Sequence, residues 1–446
     1  MPRLSPRAAA AQLAASFLLV LAALVPGTAG ATAGAAASAA AADPFYTYDG
    51  AQPLSSYEPG EVLKTRTLSY HVVGIPTPVQ AVQILYRSTD AQGKPAANVT
   101  SVLKPPGKVN GNAVSYQSFY DSMNPEDGPS RAIAGDVSLG GLIANVESIF
   151  IAPLLAQGYT VLVPDTEGQD ANFAAGPEYG YNTLDGIRAA SAAEATGLTS
   201  ATRVGMLGYS GGAIATSWAG TLAPEYAPDV NRRLVGFTEG GLLVAPAHNL
   251  KYVSGSLVWS GIAPMAIAGV ARSYDIDFDK YLNDKGKQVI AKMQQASIIN
   301  VLGQYPGLTW KQLVKPEYAN PNSVPEYVDT VNKLNLGSAP TPTVPMFVAQ
   351  GGGGYFEGTS GTKPGIGAGD GVMVAGDVRT LMRQYCATGA PAVKYQQYSL
   401  LSHVGATVPW APLALLWLND RFAGKAAPSD CGRIAAGNPL TPEAHE

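Results

Sequence analysis

Residues 203–222 carry the feature that most limits how this chain folds. A short apolar run, 203–207, passes through Gly208-Tyr209-Ser210-Gly211-Gly212 into a stretch of small residues, 213–222. An apolar strand that turns at once into a close-packing helix belongs in a mostly parallel sheet covered by helices. The turn is sharp enough to hold its central residue in a strained conformation, so the flanking positions have to be tiny, and Gly208 and Gly212 are. With 50 glycines in 446 residues, the bare Gly-x-Ser-x-Gly pattern carries little weight. The strand before it and the helix after it mark Ser210 as the candidate nucleophile.

The rest of the chain supplies the sheet. Residues 82–86 and 99–103 alternate in the manner of antiparallel strands, with a polar turn at 90–94. Beyond them strands alternate with helices. Strands are expected at 113–119, 159–163, 203–207, 344–349 and 393–398, and helices at 184–194, 213–222, 378–386 and 410–422. Residues 240–335 differ, with helix-like segments at 257–272, 278–297 and 309–314 and no strand signal between them. The expected architecture is α/β, a central, mostly parallel sheet flanked by helices. Its core comprises residues 43–239 and 336–424, with a helical cap inserted at 240–335 and a tail at 425–446. No internal repeat is visible.

A serine hydroxyl is a poor nucleophile until a base takes its proton, and in this architecture the chain order is Ser, acid, His. The chain has four histidines. His71 lies in the amino-terminal strands, His248 at the start of the helical insertion and His445 in the tail. His403 alone follows a late strand, in the loop before the last helix, and is the expected base. The acid that orients it belongs in the loop after 344–349, where Asp370 stands and where Asp377 and Glu357 share the region. Two backbone donors are needed for a developing oxyanion. Gly211 supplies one as the residue after the nucleophile, and the loop after 113–119 points to Asp121 for the other, through its main-chain N–H. Asp121 also reads as a simple turn or cap residue.

Composition narrows the class. The formal net charge is −4 and the Lys and Arg residues are scattered, which excludes nucleic acid as a partner. Arg3 and Arg7, the apolar run 8–25 and Ala29-Gly30-Ala31 have the form of a secretory signal over 1–31, followed by an Ala-rich leader at 32–42. No later segment is long and apolar enough for a bilayer span, so export to the extracellular space is expected, with no integral membrane span after signal cleavage. The two cysteines, Cys386 and Cys431, read as one disulfide. Neither lies in a Cys-x-x-Cys or Cys/His grouping, so no metal and no cofactor are implied. Asn98-Val99-Thr100 fits a glycosylation acceptor by its letters.

Taken together, these residues resemble the secretory lipase family, α/β-hydrolases known from secreted yeast lipases and actinobacterial relatives. The resemblance runs from Asp43 nearly to Ala423. It rests on Asp43-Pro44-Phe45-Tyr46, Pro59-Gly60-Glu61-Val62-Leu63, Ser115-Tyr116-Gln117 leading to Asp121-Ser122, Gly158-Tyr159 through Pro164-Asp165 to Glu167-Gly168, Leu184-Asp185-Gly186-Ile187-Arg188-Ala189, the Ser210 turn and Gly240-Gly241. In that family an aspartate lies shortly before a helix ending in Cys and a histidine follows the next strand, an arrangement matched by Asp370, Cys386 and His403. The resemblance therefore implies Asp370 as the acid, Asp121 and Gly211 as main-chain oxyanion donors, and a cap over an acyl-binding tunnel. It also implies hydrolysis of carboxylic esters, triacylglycerols foremost, with a lipid ester as substrate and transient contact with a lipid interface. A general carboxylesterase, an acyltransferase and a non-catalytic binding protein on the same scaffold are the alternatives. Two departures stand out. The stretch 351–369 is unusually long and Gly-rich before the acid, and Glu126-Asp127-Gly128 stand where many members carry a further cysteine, so a second disulfide is absent.

Overall fold

The computed structural model describes residues 43–446; the expected signal and leader, 1–42, lie outside the described residues. Nine strands form one sheet: β1 (Val62–Val72), β2 (Ile75–Thr89), β3 (Pro95–Leu103), β4 (Ala113–Gln117), β5 (Thr160–Pro164), β6 (Val204–Tyr209), β7 (Leu234–Gly240), β8 (Met346–Gly351) and β9 (Val393–Tyr398). Their spatial order is β1-β2-β3-β5-β4-β6-β7-β8-β9. The first three are antiparallel and join β5 antiparallel, while β5, β4 and β6 through β9 are all parallel. In β4, β5 and β6 every residue is buried, as parallel strands covered on both faces require.

Two apolar layers cover the faces. On one, the helices Gly176–Ala192, Gly211–Tyr226 and Ala375–Ala387 pack their small and aliphatic residues against β4, β6, β7 and β8. On the other, the helix His403–Phe422 presents Trp410, Ala414, Trp417, Leu418 and Phe422. This last helix starts earlier than expected. Ser402 caps its amino end by accepting a hydrogen bond from the Gly405 N–H, so His403 is the first helical residue rather than part of a free loop. Pro409 and Pro412 lie inside the helix, where prolines obscure a helical start in the sequence.

Strand β7 has no counterpart among the expected strands, although it lies inside the sheet between β6 and β8. Its sequence, Leu-Val-Gly-Phe-Thr-Glu-Gly, breaks the apolar run with a glycine and an acid. Both have packing reasons. A Cβ at Gly236 would lie 2.6 Å from the Pro345 carbonyl oxygen and 2.7 Å from the Trp417 ring. Glu239 is fully buried, with Ser217 donating to it, and burial pushes its carboxyl up to about 8.

Between β7 and β8 the chain forms the helices Pro246–Val253, Ile262–Ser273, Asp284–Met293, Ile298–Val301 and Pro325–Lys333 with no strand among them. Asn283 starts the third by accepting from Gly286 N–H, and the segment expected at 309–314 is a single 3-10 turn, Trp310–Gln312. These helices share their own apolar cluster, which includes Trp259, Met265, Phe278, Met293 and Trp310. The cap also bonds directly to the loop that follows β4. Ile298 N–H donates to the Asp121 carbonyl and Met123 N–H to the Ala296 carbonyl, each at 2.8 Å. Among the described residues, no helix is long and apolar enough to cross a membrane. Asn98 and Thr100 are buried within β3, and the Asn98 amide donates to Tyr86 and to the Asp165 carbonyl, so the folded chain does not present this glycosylation pattern.

Cys386 and Cys431 are disulfide-bonded across a sequence separation of 45. The bridge ties the tail to the helix Ala375–Ala387, and farther along Asn438 donates to Asp377 and the Glu443 N–H to Asn332 of the cap. Closing a loop of this length stabilises by about 4 kcal/mol if it acts through the entropy of the unfolded chain. The double substitution Cys386→Ser with Cys431→Ser is expected to lower the unfolding free energy by about 2–4 kcal/mol in urea titration. An unchanged midpoint would show that the tail is held by its hydrogen bonds alone.

Candidate active site

Ser210 sits between β6 and the helix Gly211–Tyr226 with φ 54° and ψ −120°, a region that costs a residue with a side chain about 1–3 kcal/mol. Its N–H donates to the Gly240 carbonyl at 2.9 Å, which ties the turn to β7. The glycines around it are dictated by space. A Cβ on Gly208 would lie 2.1 Å from the Gly212 carbonyl oxygen, one on Gly212 2.1 Å from the Gln117 carbonyl oxygen, and one on Gly211 1.8 Å from Asp121 Oδ1. The turn thus presses on both β4 and the loop that follows it.

His403 and Asp370 converge on Ser210. His403 Nε2 lies 2.8 Å from Ser210 Oγ, and Nδ1 lies 2.8 Å from Asp370 Oδ2. With Asp370 as acceptor, Nδ1 carries the proton and Nε2 is free to accept from the serine hydroxyl. Asp370 is wholly buried and fully used. Gln350 Nε2 donates to Oδ2 at 2.8 Å, and the N–H groups of Val372 and Met373 donate to Oδ1 at 3.1 and 2.7 Å. The long Gly-rich stretch does not carry the acid away from its strand. It runs out and back, with Gly354 N–H donating to the Gly369 carbonyl, and a Cβ on Gly351 at the end of β8 would lie 2.7 Å from the Asp370 Cβ.

The imidazole is boxed in. Gly241 has φ 62°, and a Cβ there would lie 2.6 Å from His403 Cε1. Tyr209 donates to the His403 carbonyl at 2.7 Å, and the Trp259 ring stands edge-on to the imidazole with centroids 5.2 Å apart. Burial drives the His403 pKa down, but the charge and hydrogen bond of Asp370, then the charges of Glu357 and Asp121, outweigh it and hold it above its ordinary value.

The other candidate acids are engaged elsewhere. Asp377 faces His248 Nδ1 at 2.9 Å, and Glu357 accepts from Trp259 and from the Val404 N–H. The remaining histidines are also placed away from Ser210. His71 Nδ1 lies 3.1 Å from the Ile133 carbonyl, and His445 Nε2 lies 3.0 Å from Asp329.

Asp121 follows β4 with φ 36°, and among the described residues neither its N–H nor that of Gly211 has an acceptor. Both residues line one cavity together with Ser210. The loop carrying Asp121 is braced by two buried carboxyls that are not apparent from sequence patterns. Glu147 accepts from the Phe119 N–H at 2.8 Å and from the hydroxyls of Ser118 and Tyr116. Glu167 accepts from the Ser122 N–H at 3.1 Å and from Tyr179 at 3.0 Å. Burial pushes Asp121 up to about 7, against the opposing pull of His403, and Glu147 up to about 8, against the hydrogen bonds it accepts. Glu167 is driven well above the carboxylate range by burial and by the charge of Asp121.

The cavity beside Ser210 measures about 150 Å³ and runs beneath the cap among Phe173, Leu243, Ile262, Ile267, Val270 and Phe278. Its polar lining is sparse. Glu326, which borders it, is bound to Lys280 and Tyr281.

A nine-stranded, mostly parallel sheet with a serine on the turn from β6 into a helix, and a histidine and an aspartate brought to it from the far end of the chain, defines an α/β-hydrolase fold. This chain belongs to the secretory lipase family, whose pattern matches residues 135–430. A Mycobacterium tuberculosis protein named a probable inactive lipase is 33% identical over 86% of this chain and 82% of its own length. Lipase 4 of Candida albicans is 29% identical over 88% of this chain and 83% of its own. Among solved structures, Candida antarctica lipase A in its closed state superposes with a TM-score of 0.76 at 24% identity over 91% of each chain. The cell-wall-degrading esterase LipA of Xanthomonas oryzae gives 0.60 at 14% identity, covering 82% of this chain and 99% of that one. These two likenesses show the shared fold.

The three carboxyls around the Asp121 loop give stability a definite pH dependence. Because the fold raises their pKa values above those of the unfolded chain, it holds protons that the unfolded chain has lost above about pH 4. The contribution is fully present below the unfolded values and drains away as pH rises through about 7 and 8. Melting temperature is expected to fall between pH 5 and pH 9, and Glu147→Gln to flatten part of that slope. A melting temperature that rises over this interval would contradict the assignment.

Proposed function

We propose that this chain is an exported serine hydrolase that cleaves lipid esters through an acyl-enzyme. The observation that carries the reading is the unbroken hydrogen-bond path from Ser210 Oγ through His403 to Asp370, at 2.8 Å for each link, opening on an apolar cavity. Ser210 Oγ attacks the ester carbonyl while His403 Nε2 takes its proton. Asp370 holds the imidazole in the required tautomer and stabilises the imidazolium. The amides of Asp121 and Gly211 receive the oxyanion. His403 then returns the proton to the departing alcohol, and water repeats the sequence to release the acid.

The cavity supports an extended acyl chain rather than an acetyl group, because its lining is aliphatic and aromatic. Family membership supports a lipid ester and an extracellular site of action, and the signal-like segment 1–31 agrees with export. The mycobacterial relative's name keeps a non-catalytic reading in view. Against it stands the intact path at Ser210, since a binding scaffold has no use for a base held 2.8 Å from a strained serine.

A series of p-nitrophenyl esters from acetate to palmitate tests both halves of the proposal. Medium and long chains are expected to give the higher kcat/KM, and Ser210→Ala to abolish turnover of all of them. Ala266→Trp, which fills the cavity, is expected to lower kcat/KM for palmitate by about tenfold or more while sparing acetate. Preference for acetate in the wild type would assign a short-chain esterase instead, and turnover that survives Ser210→Ala would remove the serine mechanism.

A further inference from the structure

Glu357 stands outside the path from Ser210 to Asp370, yet it touches the segments that hold His403. It ends the single-turn 3-10 helix Gly354–Glu357 within the Gly-rich stretch and is partly buried. Its Oε2 accepts the Trp259 indole N–H at 2.7 Å, and its Oε1 accepts the Val404 N–H at 3.0 Å. Trp259 comes from the cap and sets its ring edge-on to the His403 imidazole, with an interplanar angle of 79°. Val404 is the second residue of the helix that His403 opens, where an amide has no partner within the helix. One carboxylate therefore secures both the ring that walls the imidazole and the backbone that carries it.

The acid side leaves room for this pairing. Gly371 follows Asp370 with φ 135°, and a Cβ there would lie 2.6 Å from Glu357 Oε2 and 2.9 Å from Trp259 Nε1. Thr359 donates to the Gly371 carbonyl at 2.6 Å and shares a hydrogen bond of 2.7 Å with Ser256, which accepts the Trp259 backbone N–H at 3.1 Å. The Gly-rich stretch thus joins the cap, the acid loop and the base helix at one point.

The geometry points to Glu357 as a positioning residue for His403, fixing the imidazole between Ser210 and Asp370 through the Trp259 indole and the Val404 amide, and stabilising by its charge the imidazolium formed in acyl transfer. This rests on His403 being the base. The charged groups facing the imidazole are Asp370, Glu357 and Asp121, and Tyr209 packs beside it with its hydroxyl on the His403 carbonyl. Removing one negative neighbour makes the imidazolium a stronger acid, so the neutral base persists to lower pH.

Glu357→Gln keeps the shape and removes the charge. In the full chain acting on p-nitrophenyl butyrate, kcat is expected to fall by about tenfold. The acid limb of kcat/KM against pH is expected to move down by about half a pH unit, a shift that a merely structural role would not produce. Trp259→Phe retains a ring beside His403 but loses the indole donor. It is expected to lower kcat as well, with the double variant little worse than either single one. A Glu357→Gln enzyme whose kcat and acid limb superpose on the wild type overturns the proposal. So does a Trp259→Phe enzyme with wild-type kcat, or full additivity of the two changes. Hydrolysis that survives Ser210→Ala would instead fault the assignment of the site itself. An inactive Ser210→Ala beside a wild-type-like Glu357→Gln would fault only the role of Glu357.

Discussion

The turn at Ser210 is the constraint around which the rest of the site is arranged. A residue with a side chain is held at φ 54°, and the three glycines beside it have no room for a Cβ because the Gly212 carbonyl, the Gln117 carbonyl and Asp121 Oδ1 fill the space. Each of these contacts belongs to a different part of the site. The first closes the turn on itself, the second docks it on β4, and the third sets the Asp121 loop against the amino end of the helix Gly211–Tyr226. Strain of about 1–3 kcal/mol at Ser210 persists because the surrounding sheet over-determines it. The Ser210 N–H on the Gly240 carbonyl and the His403 ring against Gly241 bring β7 into the same lock.

From that turn outward, the carboxyls that border the site are buried with hydrogen-bond partners. Asp370 spends both oxygens on Gln350, His403 and two backbone amides, while Glu147 and Glu167 grip the Asp121 loop from either side. Buried carboxyls that are fully hydrogen-bonded are tolerable where isolated ones are not, and they fix geometry more sharply than apolar contacts do. The cap joins this scheme at two places, through residues 296–298 on the Asp121 loop and through Trp259 on His403. Asp121, Trp259 and Ser210 all line the apolar cavity.

Much of this was legible in the sequence, for reasons that differ residue by residue. The Ser210 turn could be read because an apolar strand leads into it and a small-residue helix follows it, and His403 because the other three histidines lie in the wrong parts of the chain. Asp370 needed the family resemblance, since the out-and-back path of residues 351–369 hides in sequence what is adjacent in space. Strand β7 escaped notice because Gly236 and Glu239 look like loop residues until Trp417 and Ser217 are seen against them. Glu147 and Glu167 escaped as site residues for a related reason, and Glu357 was legible only as an alternative to Asp370 and not by its contacts with Trp259 and Val404. A carboxylate reads as a surface residue unless its partners are known, and the partner of Glu357 in the cap lies 98 residues away.

The central claim is that Ser210 is a live nucleophile, and covalent capture tests it most directly. The protein would be treated with a fluorophosphonate, digested, and the adduct located by mass spectrometry. The account predicts one phosphonyl adduct, on the peptide containing Ser210, that disappears in Ser210→Ala and is greatly slowed in His403→Ala. An unlabelled wild-type protein, or an adduct on a different residue, would contradict it.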